Sequence, residues 1–131
     1  NPPIIAAYTQ LHRRGHAHSL EVWRSGALIG GIYGVHLGRA FFAESMVSYA
    51  RDGSKIALVH LLARLHYHGF LLFDTQFLTP HLKQFGAVQV SAKTYSGLLA
   101  AALAGGGAAF ATSGEPDSAA LLTLYLQSIT Q

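Results

Sequence analysis

The sequence predicts an α+β domain with a mixed sheet flanked by helices, and three observations carry that prediction. Alternating segments separated by turn residues fill positions 19 to 48, one strongly 3.6-periodic segment follows, and a short apolar run comes directly after its terminal glycine. Strands, helix, strand in that order calls for a crossover, and a crossover joins parallel strands, right-handedly. At 131 residues the chain is long enough for one domain that buries roughly two thirds of its unfolded surface.

The elements follow in order. Pro2 and Pro3 suit a helix start, and Ile4, Ile5, Tyr8, Leu11 and His12 recur at helical spacing up to Gly15. Ser19 to Arg24 alternates with period two, and Ser25-Gly26 is a hairpin turn. Ala27 to Val35 and Arg39 to Ser48 continue the meander across a turn at Leu37-Gly38. Gly30, Gly31 and Gly34 in the middle strand point to a bulge or to the close approach of a ligand. Asp52-Gly53-Ser54 is a capping turn, after which Ile56, Leu58, Val59, Leu61, Leu62, Leu65 and His66 mark the best helix of the chain, ended by Gly69.

Phe70 to Thr75 reads as a buried strand, Thr79-Pro80 opens a short helix that stops at Gly86, and Ala87 to Ser91 alternates as a last strand. A helix from Ala92 to Leu103 closes the domain, taken as residues 1–104. Residues 105–131 are Gly/Ala/Ser-rich, a low-complexity tail with a weak helix from Asp117 to Ile129.

Composition narrows the function. Half the residues are hydrophobic and 11% are charged, against about 25% in an average globular domain, so some apolar surface is expected to meet a partner. No run reaches the ~18 apolar residues of a membrane span, and no membrane partner is expected. No signal-peptide pattern opens the chain, nor does a methionine, so it reads as a fragment or as a chain whose start has been removed. The absence of cysteine rules out disulfides and thiolate zinc sites and allows a reducing cytosol. A formal charge of +3 with eight histidines gives a mild basic bias that suits a polyanion without forming a dense basic patch.

Only six acids occur in the chain, and two of them sit inside apolar strands: Glu44 in Phe41-Phe42-Ala43-Glu44-Ser45-Met46 and Asp74 in Leu71-Leu72-Phe73-Asp74-Thr75-Gln76. Burying an ionised carboxylate costs several kcal/mol without a partner, so each is expected to have a use. If the two strands are parallel neighbours, the carboxylates lie on adjacent strand regions. His16-Ala17-His18 and His66-Tyr67-His68 alternate as metal ligands can, but the second pair ends a helix where i,i+2 side chains diverge, and structural histidines are favoured over zinc.

The runs Gly15 to Trp23, Gly30 to Val35, Phe41 to Met46, Ser54-Lys55 and Asp74-Thr75-Gln76 resemble the bacterial leucyl/phenylalanyl-tRNA–protein transferases over about residues 4 to 104. The resemblance implies a GNAT-like fold and the transfer of Leu or Phe, Met less well, from tRNA to proteins that begin with Arg or Lys, as an N-end rule degradation signal in the cytoplasm. It implies no cofactor and no metal, and a monomer is expected. The tryptophan-rich N-terminal domain of that family has no counterpart here, nor is one seen for the tail.

By the same resemblance Asp74, Gln76 and Glu44 are the catalytic candidates. Asp74 would hydrogen-bond and polarise the Gln76 amide and offset the charge of the attacking amine, Gln76 Oε would accept a hydrogen bond from that amine and orient it, and Glu44 would hold the cationic acceptor end or the amino group of the aminoacyl moiety. Ile32, Phe41, Met46, Leu58, Leu61, Leu65 and Phe73 would line a pocket for a side chain unbranched at Cβ, with Tyr33 and Ser45 also in contact with substrate and Tyr33 stacking on the terminal adenine. Arg39, Lys55 and Lys83, with Lys93 as a lesser candidate, would meet tRNA phosphates, and His81 would lie near the tRNA end. Without the resemblance these residues are paired acids, ordinary core and solvated cations. An acyl-CoA-dependent N-acetyltransferase is the chief competitor, although Arg51 to Ile56 has one glycine and places Asp52 where a pyrophosphate would sit. A non-catalytic remnant domain is the second.

Overall fold

The computed structural model describes residues 16–75 and 80–129, the side chains of residues 80 and 81 excepted. The predicted helix from Ile4 to Gly15 lies outside the described residues, as do Gln76 and the side chain of His81.

The meander forms as expected. β1 (Ala17–Arg24) and β2 (Ala27–Leu37) are joined at Ser25 and Gly26, whose φ angles of 52° and 80° give the doubly left-handed turn that matches strand twist. β2 pairs antiparallel with β3 (Ala40–Ser48). The periodic segment is α1 (Gly53–Tyr67), and Gly69 at φ 77° ends it. The chain then returns as β4 (Leu72–Thr75), parallel to β3 from Ala40↔Leu72 to Ala43↔Thr75. The sheet order β1-β2-β3-β4 is the parallel-neighbour arrangement that the crossover required, and the architecture is α+β with a mixed sheet.

Two bulges shape the sheet. Gly34 pairs with Ala43 and Tyr33 with Ser45, so Glu44 is an extra residue on β3. Val22 pairs with Gly30 and Trp23 with Leu28, so Ile29 is an extra residue on β2. Its carbonyl, turned out of the ladder, accepts the N–H groups of Tyr49 (2.9 Å) and Ala50 (3.2 Å) and pins the approach to α1. The neighbour that needs Gly30 bare is protein, not ligand: a Cβ there would overlap the carbonyl of Gly53 in the first turn of α1. Asp52 precedes that turn at φ 62° without a side-chain cap, and Ser48 Oγ accepts the N–H of Ser54 instead.

α2 (Pro80–Gln84), α3 (Ala92–Leu103) and α4 (Ser118–Ile129) complete the described elements. The predicted strand from Ala87 to Ser91 does not form. Residues 87–90 have no ladder partner, and Val88 is 75% exposed. Alternation makes a strand only beside an edge to pair with, and a cleft separates this segment from β4.

The core fills one face of the sheet. Ile32, Phe41 and Ala43 meet Ala57, Leu58, Leu61 and Leu65 of α1, with Leu82 of α2 closing the cluster. Phe73 stacks on Phe41 at 6.2 Å between centroids. The helix predicted near the C-terminus is α4, which lies on α1 with Leu121 buried. Between α3 and α4 the Ala108 N–H bonds the Gly38 carbonyl (3.1 Å) and the Phe110 ring stacks on His18 at 4.1 Å. Arg64 Nη1 of α1 donates both to the Phe110 carbonyl and to Glu115.

Candidate active site

Among the described residues β4 is one of the two edge strands of the sheet, and the side chains along it divide between two faces. Phe73 sits beside Phe41, toward α1; Asp74 sits beside Phe42, so it faces the other way. On that side α3 crosses β3 and β4. Its start is fixed by Ser91, whose Oγ accepts the Thr94 N–H (3.1 Å), and its end by the Ala102 carbonyl, which accepts the Arg39 N–H (2.8 Å). Tyr95 in the first turn thereby reaches Asp74, and its Oη donates to Asp74 Oδ2 at 2.8 Å.

Around this pair opens a cleft of about 850 Å³ that wraps the edge of β4. Leu58, Leu62, Phe73 and Leu82 wall one side; Asp74, Tyr95 and Leu98 stand on the other, and the extended residues 87–90 close the far rim. A half-buried carboxylate in an apolar, concave site is what an amine-binding or acyl-transfer centre needs: attraction for a cation together with shelter from water. The Asp74 carboxylate raises the pKa of Tyr95 above its ordinary value through this hydrogen bond, helped by burial and by the carboxylate charge.

Apart from Glu44, the cations and Gln76, the predicted site residues divide into three groups. Asp74 and Phe73, both half-buried, line the cleft, while Leu58 borders it from within the core at 0% exposed. Ile32, Phe41, Leu61 and Leu65 are sealed in the core, at most 4% exposed, with Met46 half-buried against them. Tyr33 and Ser45 face each other across β2 and β3 at a separate hollow of about 170 Å³ beside Glu21; burial there raises the Tyr33 pKa.

Glu44 corrects an expectation. It is exposed rather than buried in apolar surroundings, because as the extra residue of the bulge it leaves the in/out alternation of β3. It does lie at the same end of the sheet as Asp74, one residue beyond the partner of Thr75.

The cations are spread. Lys83 and Lys93 are exposed and directly follow the cleft residues Leu82 and Ala92. Lys55 lies 3.7 Å from Asp52 at the start of α1, an exposed pair worth at most about 1 kcal/mol. Arg39 is at the other end of β3, where its carbonyl accepts the N–H groups of Leu71 and Leu72.

Sequence reasoning missed Tyr95, since nothing in Ala92 to Leu103 sets one tyrosine apart until β4 is placed beneath it. It also missed His36, which is buried and bonded through Nδ1 to His18 Nε2 at 2.7 Å, with His16 Nδ1 3.2 Å from the His36 carbonyl. Burial lowers the His36 pKa, the His16 charge adds to that, and a hydrogen bond to the Ala108 backbone opposes it. Among the described residues no group of three or more His, Asp or Glu is arranged to hold a metal. His68 bonds Glu115 at 2.7 Å, and the His66 ring leans on Tyr125.

Fold and site together define a single-sheet α+β domain with a carboxylate and a phenol in a cleft at an open parallel edge. Comparison with known proteins gives the family. Residues 1–100 match the family described as leucyl/phenylalanyl-tRNA protein transferase. Proteins named leucyl/phenylalanyl-tRNA–protein transferase are similar to the chain: that of Rhizorhabdus wittichii is 58% identical over 112 residues, covering 83% of this chain and 45% of the relative. That of Ruegeria pomeroyi is 54% identical over 131 residues, all of this chain and 58% of the relative, and that of Cereibacter sphaeroides is 54% identical over 123 residues, 93% and 57%. The chain belongs to the leucyl/phenylalanyl-tRNA–protein transferase family. It spans about half the length of the curated relatives it matches, and the match to Ruegeria pomeroyi includes the segment after Gly105. These matches do not favour the acyl-CoA alternative.

Proposed function

We propose that this chain carries the aminoacyl-transfer site of a leucyl/phenylalanyl-tRNA–protein transferase, moving Leu or Phe, and Met less well, from tRNA to the α-amine of proteins that begin with Arg or Lys. The observation that carries the proposal is Asp74, half-buried at the open edge of β4 in a cleft large enough for an aminoacyl group and a peptide amine, in a chain whose relatives bear that name. The modified protein would enter N-end rule degradation in the cytoplasm, and the chain would act as a monomer without a cofactor.

The chemistry asks little beyond placement. The ester that joins the amino acid to the tRNA ribose is already activated, so the amine nitrogen attacks its carbonyl, the C–N bond forms, and the C–O bond to the ribose breaks as the amine proton passes to that oxygen or to water. Asp74 offsets the positive charge that grows on the attacking nitrogen. Gln76, two residues on, orients the amine, and Glu44 attracts the acceptor's cationic end from the exposed bulge at the same end of the sheet as Asp74. The half-buried Leu62 and Phe73, backed by the buried Leu58 and Leu82, shape the apolar wall against which a Leu or Phe side chain packs, while a β-branched side chain would be disfavoured by about 1 to 3 kcal/mol. Lys83 and Lys93 at the rim suit tRNA phosphates.

The test is transfer of labelled Leu from charged tRNA to two peptides that differ only in beginning with Arg or Glu. Labelling of the Arg peptide alone is expected. Labelling of neither, by chain that is folded by circular dichroism, would leave the remnant-domain alternative standing.

A further inference from the structure

Asp74 has two carboxylate oxygens and one donor among the described residues, and the geometry decides what each is for. Tyr95 Oη occupies Oδ2 at 2.8 Å. The tyrosine cannot drift: it lies in the first turn of α3, its N–H on the Ser91 carbonyl at 2.9 Å, that turn capped by Ser91 Oγ and the far end of the helix tied to Arg39. The bond lies along one wall of the cleft and ties β4, which has one strand neighbour among the described residues, to a helix fixed at both ends. A half-buried aspartate on an edge strand would otherwise turn about χ1 and χ2, and a donor locked by its own element removes that freedom.

We infer that Tyr95 is a positioning residue for the transfer reaction: by holding Oδ2 of Asp74 it fixes the carboxylate plane and leaves Oδ1 as the oxygen that meets the incoming amine. The inference rests on the function proposed above. No covalent change at Tyr95 is involved; its phenol proton stays on Oη throughout. Loss of the phenol should leave aminoacyl-tRNA binding alone and slow the step in which the amine attacks, because the carboxylate is mis-set only toward the nucleophile.

Two measurements on the full chain test this, and each reads a different thing. Ultraviolet titration of the tyrosinate band in the parent, Tyr95→Phe and Asp74→Asn proteins reads the bond itself. The parent minus Tyr95→Phe difference isolates Tyr95, whose ionisation should lie above 10.0 and fall back toward it in Asp74→Asn. Steady-state transfer reads the role. Tyr95→Phe should lose about 10- to 100-fold in kcat while KM for Leu-tRNA stays within about twofold, as expected for a charge-assisted hydrogen bond acting only on the nucleophile. Tyr49→Phe, at a tyrosine 69% exposed in the turn between β3 and α1, should match the parent in both. A Tyr95 ionisation that does not respond to Asp74→Asn overturns the positioning bond whether or not the protein transfers anything. A normal kcat for Tyr95→Phe overturns the role. A parent protein that transfers nothing, with the titration as expected, overturns the function proposed above and with it the role, while the bond stands.

Discussion

Arg64 Nη1 and Glu115 Oε1 are 2.6 Å apart and join α1 to the segment before α4, both side chains less than a fifth exposed. Burial would raise the Glu115 pKa, but the Thr112 N–H, Arg64 and His68 overcome it and hold the carboxyl at about 2. A depressed carboxyl contributes stability that is present above its unfolded pKa, 4.5, and lost as pH falls toward 2. Thermal unfolding should therefore show a loss of about 3 kcal/mol in that window, and Glu115→Gln should be destabilised at pH 7 by a similar amount and lack the acid limb. An acid limb that survives in Glu115→Gln would assign it elsewhere.

His36 gives a second pH dependence, separable because it begins higher. Its pKa is lowered from 6.5 by burial, with the His16 charge beside it, so the folded state resists protonation. The contribution is present above pH 6.5 and declines as pH falls below it. Melting temperatures at pH 7.5 and 5.5 should differ in the parent and converge in His36→Gln, which keeps a donor and an acceptor but does not titrate.

Gly30→Ala tests the seam between β2 and α1. The new methyl would overlap the Gly53 carbonyl, and backbone cannot yield as a side-chain tip can. A loss of about 2 to 3 kcal/mol is expected by denaturant unfolding; Gly97→Ala, with open space around the new methyl, should unfold no earlier than the parent.

Core and cleft can be told apart by substitution. Leu61 is 1% exposed inside the core, and Leu61→Ala should cost about 3 kcal/mol while leaving the choice between Leu-tRNA and Phe-tRNA as it was. Leu62 lines the cleft, and Leu62→Ala should shift that choice toward the bulkier Phe. Competition between the two charged tRNAs measures it.

The meander, the long helix and the parallel return were legible because each is written locally: period two, period 3.6, and glycines at the turns. Residues 87–91 misled because alternation carries no information about whether a partner edge is within reach. Glu44 misled for a related reason, since a bulge moves a side chain off the face that counting assigns to it, and the extra residue becomes visible only when Gly34 is paired with Ala43. The pocket residues read from the resemblance include five that are sealed in the core, Ile32, Phe41, Leu58, Leu61 and Leu65, because an apolar residue on the inner face of a strand or helix looks the same in sequence whether it meets another element or a cavity. Tyr95 and the Arg64–Glu115 bond are contacts between distant segments, 21 and 51 residues apart, for which one sequence holds no local sign.

The measurement closest to the central claim is single-turnover transfer of Leu from tRNA to an Arg-initiated peptide by the parent and by Asp74→Asn, which keeps the size of the side chain and removes its charge. With both proteins melting at the same temperature, Asp74→Asn should be slower by about 100-fold or more. Equal rates would contradict the account, since the carboxylate in the cleft would then have no part in the chemistry.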